Sequence, residues 1–314
     1  MNTWVRIVRR REFTVFILIV ILSIIFAVST DRFLSISNIS NLLSQLAGVA
    51  IAAIGMTMVI ITGGIDVSVG STLGLACVVS GSLLMIQAPF LLVLLATLGT
   101  GLAVGLLNGV IVAYGRVPPI ITTLGMMNMV RALVFQALGG RWISGIPPEV
   151  RTIGLGKWLQ IPLAMWVAGA LIVVFSYFLS YRPLGRSVYA VGNNPEAARV
   201  SGVNLKTTLL FVYGLTGALA GFAGLINVGR TGIVQTNNGM GFELDVIAAV
   251  VLGGTSILGG RGTIVGSLLG ALLVAIIKNG MILLNIPALT EGVIIGALII
   301  ISVLIDLVRG RGVR

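Results

Sequence analysis

The stretch VSVGSTLGLACVVSGSLLMIQAPFLLVLLATLGTGLAVGLLNGVIVAYG (residues 67–115) contains no Asp, Glu, Lys or Arg. A helix that crosses a membrane needs about 20 apolar residues, so this run is long enough for two crossings. Its apolar residues are continuous rather than alternating with polar ones, which favours helices over the strands of a barrel. The run therefore predicts an all-α integral membrane protein.

The rest of the chain has the same character. Of its 314 residues, 57% are hydrophobic and only 9% are charged, whereas a soluble domain has about 25% charged residues. The apolar runs predict about ten transmembrane helices in a single transmembrane domain that covers residues 1–314. The predicted spans are residues 13–30, 41–62, 67–86, 90–114, 119–138, 161–181, 207–229, 245–259, 263–284 and 292–308.

The distribution of basic residues predicts the orientation in the membrane. With ten spans and both termini in the cytoplasm, thirteen of the twenty Lys and Arg residues fall in cytoplasmic segments and five in external ones. Cytoplasmic loops normally carry this excess of positive charge. We therefore expect a multi-pass membrane protein with both termini in the cytoplasm, with an uncleaved first span after the basic segment 6–11 and with the loop 182–206 in the cytoplasm.

The composition leaves little room for catalysis. The chain has no histidine, one cysteine, nine acidic residues and no G-x-x-x-x-G-K-[ST] motif. These absences argue against a catalytic triad, a zinc site and ATP hydrolysis by a P-loop. We predict no catalytic residue, no metal site and no cofactor. The net charge of +11 is spread over the ends of apolar runs, so we expect no nucleic-acid partner.

The polar segment RPLGRSVYAVGNNPEAARVSGVNLK (residues 182–206) contains the signals of a short helix. Asn194 is a good N-cap, Pro195 suits the first helical position, and Glu196 follows where the helix dipole favours an acid. Gly202 is placed to end the helix, which predicts a helix from Pro195 to Ser201. A helix of about two turns is unstable alone and needs a partner surface. In a membrane protein, this pattern indicates a docking element for a soluble protein.

Four polar residues in or between predicted spans are candidates for a solute pathway: Asp66, Asn108, Asn128 and Arg131. A carboxylate inside the membrane costs about 2.5–3.5 kcal/mol on insertion scales, so it is a functional candidate by default. The alternative for Asp66 is the N-cap of the third span, because N-caps favour Asp. For the other three residues, the alternative is hydrogen bonding between helices.

Glycine spacing gives two further expectations. Gly101, Gly105 and Gly109 share one helix face, and Gly262, Gly266 and Gly270 repeat the spacing five spans later. Close helix packing alone explains such runs, whereas an odd offset of five spans is also compatible with a five-plus-five inverted repeat. The span 245–259 is short and ends in a glycine-rich sequence, so it is a candidate for a broken or re-entrant segment.

Four stretches of the sequence resemble the sugar-permease branch of bacterial ABC importers, which includes ribose, xylose, galactose, rhamnose and autoinducer-2 systems. They are GGIDVSVGS (63–71), GRVPPIITTLG (115–125), GRSVYAVGNNPEAARVSGV (185–203) and AAVVLGGTSILGGRGTIVGSLLGA (248–271). The third stretch contains an EAA-x-x-x-G signature, formed by Glu196, Ala197, Ala198 and Gly202. These residues, with Asn194, Pro195 and Arg199, are the predicted coupling site.

The resemblance implies a permease subunit of the bacterial plasma (inner) membrane that moves a sugar or sugar-like solute into the cytoplasm. It also implies three kinds of partner: cytosolic ABC ATPase subunits that dock on the short helix, a periplasmic or surface-tethered sugar-binding protein, and a second permease subunit, identical or homologous. The alternative is an ion-coupled secondary transporter of a small polar solute. That class would explain Asp66 without partners, but it would not explain the capped cytoplasmic helix.

Overall fold

The computed structural model describes residues 11–287 and 289–311, so the basic residues 6–10 and Arg314 lie outside the described part. Apart from one 3₁₀ turn (Pro148–Val150) and one two-stranded hairpin, its regular elements are α-helices. In chain order they are α1 (Arg11–Ser29), α2 (Ile36–Ile61), α3 (Val69–Met85), α4 (Phe90–Ala113), α5 (Pro119–Leu138), α6 (Thr152–Leu155), β1 (Lys157–Trp158), β2 (Ile161–Pro162), α7 (Leu163–Tyr181), α8 (Pro183–Asn193), α9 (Pro195–Val200), α10 (Leu205–Thr231), α11 (Phe242–Leu252), α12 (Ile264–Leu283) and α13 (Leu289–Arg311). The antiparallel strands β1 and β2 lie in the loop between α6 and α7.

Each of the ten predicted spans overlaps a helix, but the helices differ in their capacity to cross a membrane. Six described helices are long and apolar enough to do so: α2, α4, α5, α7, α10 and α12. Helix α11 has 11 residues and rises only about 16 Å, which is about half of the hydrocarbon thickness. The expectation of a broken segment at 245–259 is confirmed, because the chain after Leu252 turns without helix until Ile264.

Helices α2 and α10 lie at the centre of the bundle. They contact each other, and each packs against three or more other helices. Most of the hydrophobic residues with no exposed surface come from these two helices, for example Ile54 and Ile60 in α2 and Tyr213 in α10. Helices α4, α5 and α7 bury less than a third of their apolar span. Their outer faces are therefore available to lipid or to another membrane subunit.

Both glycine runs allow close helix packing, as predicted. On α4, a Cβ at Gly101 or Gly105 would collide with the carbonyl oxygens of Gly217 and Tyr213 on α10. On α12, Gly270 faces the backbone of α11 in the same way, at the carbonyl of Ala249. Only glycine lets backbones approach so closely, so these positions fix the α4–α10 and α11–α12 contacts.

Candidate functional site

The short helix α9 has the N-terminal cap that the sequence predicts. The Asn194 side chain accepts a hydrogen bond from the Ala197 amide at 3.0 Å, and its backbone is extended with φ −160°. Pro195 occupies the first helical position, and Glu196 lies in the first turn. One of the amide groups that a helix start leaves unpaired is thereby satisfied by the side chain before it.

The C-terminus of α9 also follows the prediction, ending one residue earlier at Val200. Gly202 has φ +84°, a left-handed conformation that favours glycine. Its amide donates to the Arg199 carbonyl at 3.1 Å, and the Val203 amide donates to the Ala198 carbonyl at 3.0 Å. These two bonds form a Schellman motif, so both ends of the six-residue helix are closed by local hydrogen bonds.

One face of α9 is anchored and the opposite face is exposed. Ala198 is only 5% exposed, whereas Val200 is 82% exposed, and Ala197 also lies on the surface. Glu196 and Arg199 form the predicted ion pair at 3.1 Å, with both side chains largely in solvent. An exposed pair of this kind contributes little to stability. The helix therefore presents small apolar and charged groups outward from a fixed base.

That base is helix α8, which sequence reasoning missed. Its buried residues Val188 and Val191 lie three apart on one face, a helical spacing that a search for amphipathic segments would have found. Tyr189 donates a hydrogen bond to the Gly262 carbonyl at 2.8 Å. This hydrogen bond from the Tyr189 hydroxyl connects α8 to the loop between α11 and α12.

Helix α8 also packs against the end of α2. A Cβ at Gly192 would collide with the Ile61 carbonyl oxygen and lie 2.7 Å from the Gly260 amide. The Gly260 amide donates to that same Ile61 carbonyl at 2.8 Å. Three segments that are far apart in sequence therefore meet at backbone distance beside α9. Helix α8 is thus in contact with the C-terminus of α2 and with the loop between α11 and α12.

Asp66 lies in the loop between α2 and α3 and is 2% exposed. Its Oδ1 accepts hydrogen bonds from the Ser68 amide at 2.9 Å and from the Ser68 hydroxyl at 2.6 Å. Asn108 on α4 donates to the same hydroxyl at 2.8 Å. Among the described residues, no Lys or Arg pairs with the carboxylate. The structure thus brings Asp66 and Asn108 together in one buried network of neutral donors.

The interpretation of Asp66 as the N-cap of the third span is wrong. Ser68 occupies the N-cap position of α3, and the amide of that N-cap residue donates to the Asp66 side chain. An amide that donates to an Asp side chain two residues earlier shapes a turn. Asp66 therefore orders the loop that precedes the helix rather than the first helical turn.

Arg131 and Asn128, both on α5, have different surroundings. Arg131 donates from Nη1 to the Asn238 carbonyl at 2.8 Å. Asn238 lies outside the helices, so this bond joins α5 to the segment 232–241 rather than to a second helix. Asn128 is exposed on this chain and donates to the Leu124 carbonyl of its own helix at 3.0 Å. No second helix among the described residues provides its partner.

The residues between α10 and α11 form a non-helical segment, numbered 232–241, that runs beside α3 and contains hydrogen-bonded turns. Val234 lies against Gly81, the Asn238 carbonyl lies against Gly74, and Glu243 at the start of α11 faces Gly70. Later residues of the segment thus contact earlier turns of α3, so the segment runs antiparallel to that helix. Helix α11 consequently begins beside the first turn of α3.

A group of charges near the start of α11 was not singled out from the sequence. Lys278 on α12 contacts Asp245 of α11 at 2.6 Å and Glu291 of α13 at 2.5 Å. The signal available was a lysine inside a predicted span, because a charge at that depth needs a partner or a water-filled cavity.

Comparisons with known proteins identify the family. A family model described as branched-chain amino acid transport system / permease component matches residues 38–303. The chain is 41% identical over 295 residues to the "Ribose import permease protein RbsC" of Escherichia coli (strain K12), covering 92% of both chains. It is 38% identical to the protein of that name from Haemophilus influenzae, over 93% of this chain and 91% of that one.

A third relative is the "Autoinducer 2 import system permease protein LsrC" of Photorhabdus laumondii, which is 34% identical over 296 residues. That match covers 94% of this chain and 89% of the relative. No solved structure matches the chain significantly. All three relatives are named as import permeases, and the matches extend over nearly the whole chain.

Proposed function

The chain belongs to the family of branched-chain amino acid transport system permease components, and from this membership we propose that it is the membrane-spanning subunit of an ATP-driven importer of ribose or a closely related sugar. Relatives named as ribose import permeases cover more than nine-tenths of its length. The chain is a multi-pass membrane protein and not an enzyme. ATP hydrolysis belongs to separate subunits of the importer.

The observation that carries the proposal is the construction of α9. This helix is closed at both ends, anchored through Ala198 and otherwise exposed. We assign the surface formed by Asn194, Pro195, Glu196, Ala197 and Arg199 as the docking surface for the ATPase, with Gly202 closing the helix. Since α8 contacts the C-terminus of α2 and the loop between α11 and α12, movement of the ATPase would reach the helix bundle through α8.

Both termini of this subunit lie in the cytoplasm in our proposal. The ten predicted spans are its crossings, and the eighth is the broken segment that begins with α11. This orientation places residues 61–64, 189–193 and 253–263 on the cytoplasmic side. Their mutual backbone contacts around Gly192 and Gly260 support a common side. The excess of basic residues in the predicted cytoplasmic segments as a whole agrees with it.

A five-plus-five inverted repeat is part of the proposal, and its support comes from helix contacts. Five contacts recur when every helix is replaced by its counterpart five spans away. The pairs α3–α4, α3–α5, α3–α10, α4–α5 and α4–α10 correspond to α11–α12, α11–α13, α11–α2, α12–α13 and α12–α2. The glycine runs are not part of this support, because the run on α4 packs on α10 while the run on α12 packs on α11.

We assign the four pathway candidates as follows. Asp66 and Asn108 form a network that closes the cytoplasmic end of the pathway. Arg131 holds the segment 232–241 in place through its bond to the Asn238 carbonyl. Asn128 faces a second permease subunit, because an amide exposed on a membrane helix needs a polar partner or water. The outer faces of α4 and α5 are sparsely buried and leave room for that subunit. The second subunit is either an identical chain, which gives a homodimer, or a homologue, which gives a heterodimer.

Purification of the tagged chain from its native membrane in mild detergent tests this function. Mass spectrometry should find an ATPase with a P-loop in stoichiometric amount, together with the second permease and a sugar-binding protein. A chain that purifies alone and takes up solute in vesicles under an ion gradient would refute the proposal. That result would favour the ion-coupled transporter and make Asp66 the centre of the mechanism.

A further inference from the structure

A cavity of about 220 Å³ lies between α2, α10, α11 and α12. Its wall includes six polar side chains from these helices, which are Ser44, Gln45, Asn227, Arg230, Asp245 and Lys278. Pockets for drug-sized ligands usually measure about 300–1,000 Å³, so this one fits a smaller solute. In the proposed orientation, Arg230 and Lys278 lie near the external ends of their helices.

The charges around the cavity balance. Lys278 contacts both Asp245 and Glu291, and Arg230 adds a second positive charge. In the described part of the chain, no carboxylate lies within 4.0 Å of the Arg230 guanidinium. The two cations and the two carboxylates therefore give a net charge of zero, and the guanidinium of Arg230 keeps its donors for a ligand.

The cavity also offers both kinds of hydrogen-bonding group. Arg230 donates only, the carboxylate of Asp245 accepts, and the amides of Gln45 and Asn227 do both. A hydroxyl group needs such a mixture, because it donates one hydrogen bond and accepts others. An anion would gain from Arg230 but would be repelled by Asp245 and Glu291, and the two cations would repel a cation in the same way.

We propose that this cavity binds a neutral, polyhydroxylated solute inside a single permease subunit. The inference rests on the proposed function for the class of solute, since a sugar importer must pass such a molecule across its external half. Asp245 and Arg230 then both bind the solute, with the ring of Phe242 in the same wall.

Thiol labelling of a Ser44→Cys chain in membranes tests the site without any partner subunit. The native Cys77 has no exposed surface, so a membrane-impermeant maleimide should react at the new thiol alone. At about 100 mM D-ribose, a site with a Kd of about 10 mM would slow labelling about tenfold, because the rate falls as 1 + [L]/Kd. D-galactose is the second neutral probe, and D-gluconate and D-glucosamine are the charged controls.

We expect a neutral sugar to slow labelling at least about fivefold and both charged controls to slow it less than about twofold. Labelling that no neutral sugar slows would overturn the inference and leave a cavity that holds water alone. Labelling that gluconate slows equally would overturn it as well, because the cavity would then select anions.

A filled cavity provides the second test. Gly48 lies in the wall on α2, and a Cβ there would meet no atom within 4 Å. Gly48→Leu should therefore occupy the cavity without disturbing the fold and lower D-ribose uptake at least about tenfold. Gly296→Leu is the matched control, since Gly296 is a half-buried helical glycine on α13 with equally open surroundings. Equal uptake by the two variants would contradict the proposal.

The two proposals fail in different experiments. A chain that purifies with its ATPase and imports D-ribose, but whose labelling no sugar slows, refutes the cavity site alone. A chain whose labelling D-ribose slows, but which purifies without an ATPase, retains the site and refutes the ABC importer.

Discussion

Removal of both caps of α9 should abolish coupling to the ATPase. Asn194→Ala removes the acceptor of the 3.0 Å bond from the Ala197 amide, and loss of an N-cap costs about 0.5–2 kcal/mol. Gly202→Ala places a Cβ on a residue with φ +84°, and a left-handed residue other than glycine costs about 1–2 kcal/mol. Together the changes destabilise α9 by about 1.5–4 kcal/mol.

A six-residue helix has no stability of its own to absorb that loss. Since each 1.4 kcal/mol is a factor of about ten, we expect the double variant to import D-ribose at least about tenfold more slowly. The assay compares radiolabelled D-ribose uptake in cells with the amount of chain in their membranes, which should not change. Uptake within about twofold of the unmodified chain would refute the docking role of α9.

Ser201→Ala is the matched control for the uncapped variant. Ser201 is the C-cap residue of α9 and lies exposed on the surface. Within the part of the chain that the structure describes, its side chain makes no hydrogen bond. Its removal changes the composition of the same loop without opening either cap, so uptake should stay at the level of the unmodified chain.

Three further substitutions test other parts of the account. Glu196→Lys reverses the charge at the positive end of α9 and breaks its ion pair, so ATPase-coupled uptake should fall about fivefold or more while membrane insertion is unchanged. Asp66→Asn keeps an oxygen for both bonds from Ser68 and should leave uptake within a few-fold, whereas Asp66→Ala leaves buried donors unpaired and should nearly abolish it. Equal loss in both Asp66 variants would show that the charge itself acts. Gly105→Ala pushes α4 away from α10 and should lower the free energy of unfolding in detergent by about 1–3 kcal/mol. Gly99→Ala meets no neighbour and should leave that free energy unchanged.

Local chemistry explains why the sequence predicts α9 so closely. Asn194, Pro195 and Gly202 act on backbone groups within three residues of themselves, so their effect is readable from the chain alone. The apolar segments are readable for a similar reason, because the membrane imposes one length and one polarity on every crossing. Neither inference needs knowledge of which helices touch.

The features that sequence reasoning missed depend on contacts between distant segments. The spacing of Val188 and Val191 marks α8 as a helix, but only the structure shows that its Gly192 touches Ile61 and Gly260. The segment 232–241 is formed against α3, and its sequence alone contains no sign of that partner. Asp66 followed by Ser68 is compatible with either a turn or an N-cap, and the structure shows the turn.

The same dependence on tertiary contacts applies to the charges of the cavity. Lys278 is identifiable as an unusual charge inside a span, but Arg230 and Asp245 fall near span ends, where charged residues are ordinary. Only the packing of α10, α11 and α12 brings them to one cavity. Balanced charge in a membrane bundle is therefore a property of the fold that composition does not reveal.

Site-specific crosslinking from α9 tests the central claim most directly. A photoreactive residue at Val200, which is 82% exposed beside the docking surface, should capture the ATPase subunit in native membranes. The same residue at Val293, equally accessible on α13 at 72%, should capture no ATPase because it lies away from the cytoplasmic surface in the proposed orientation. An ATPase adduct from Val200 alone is the predicted result. No adduct at Val200 in a membrane that contains the assembled importer would contradict the account.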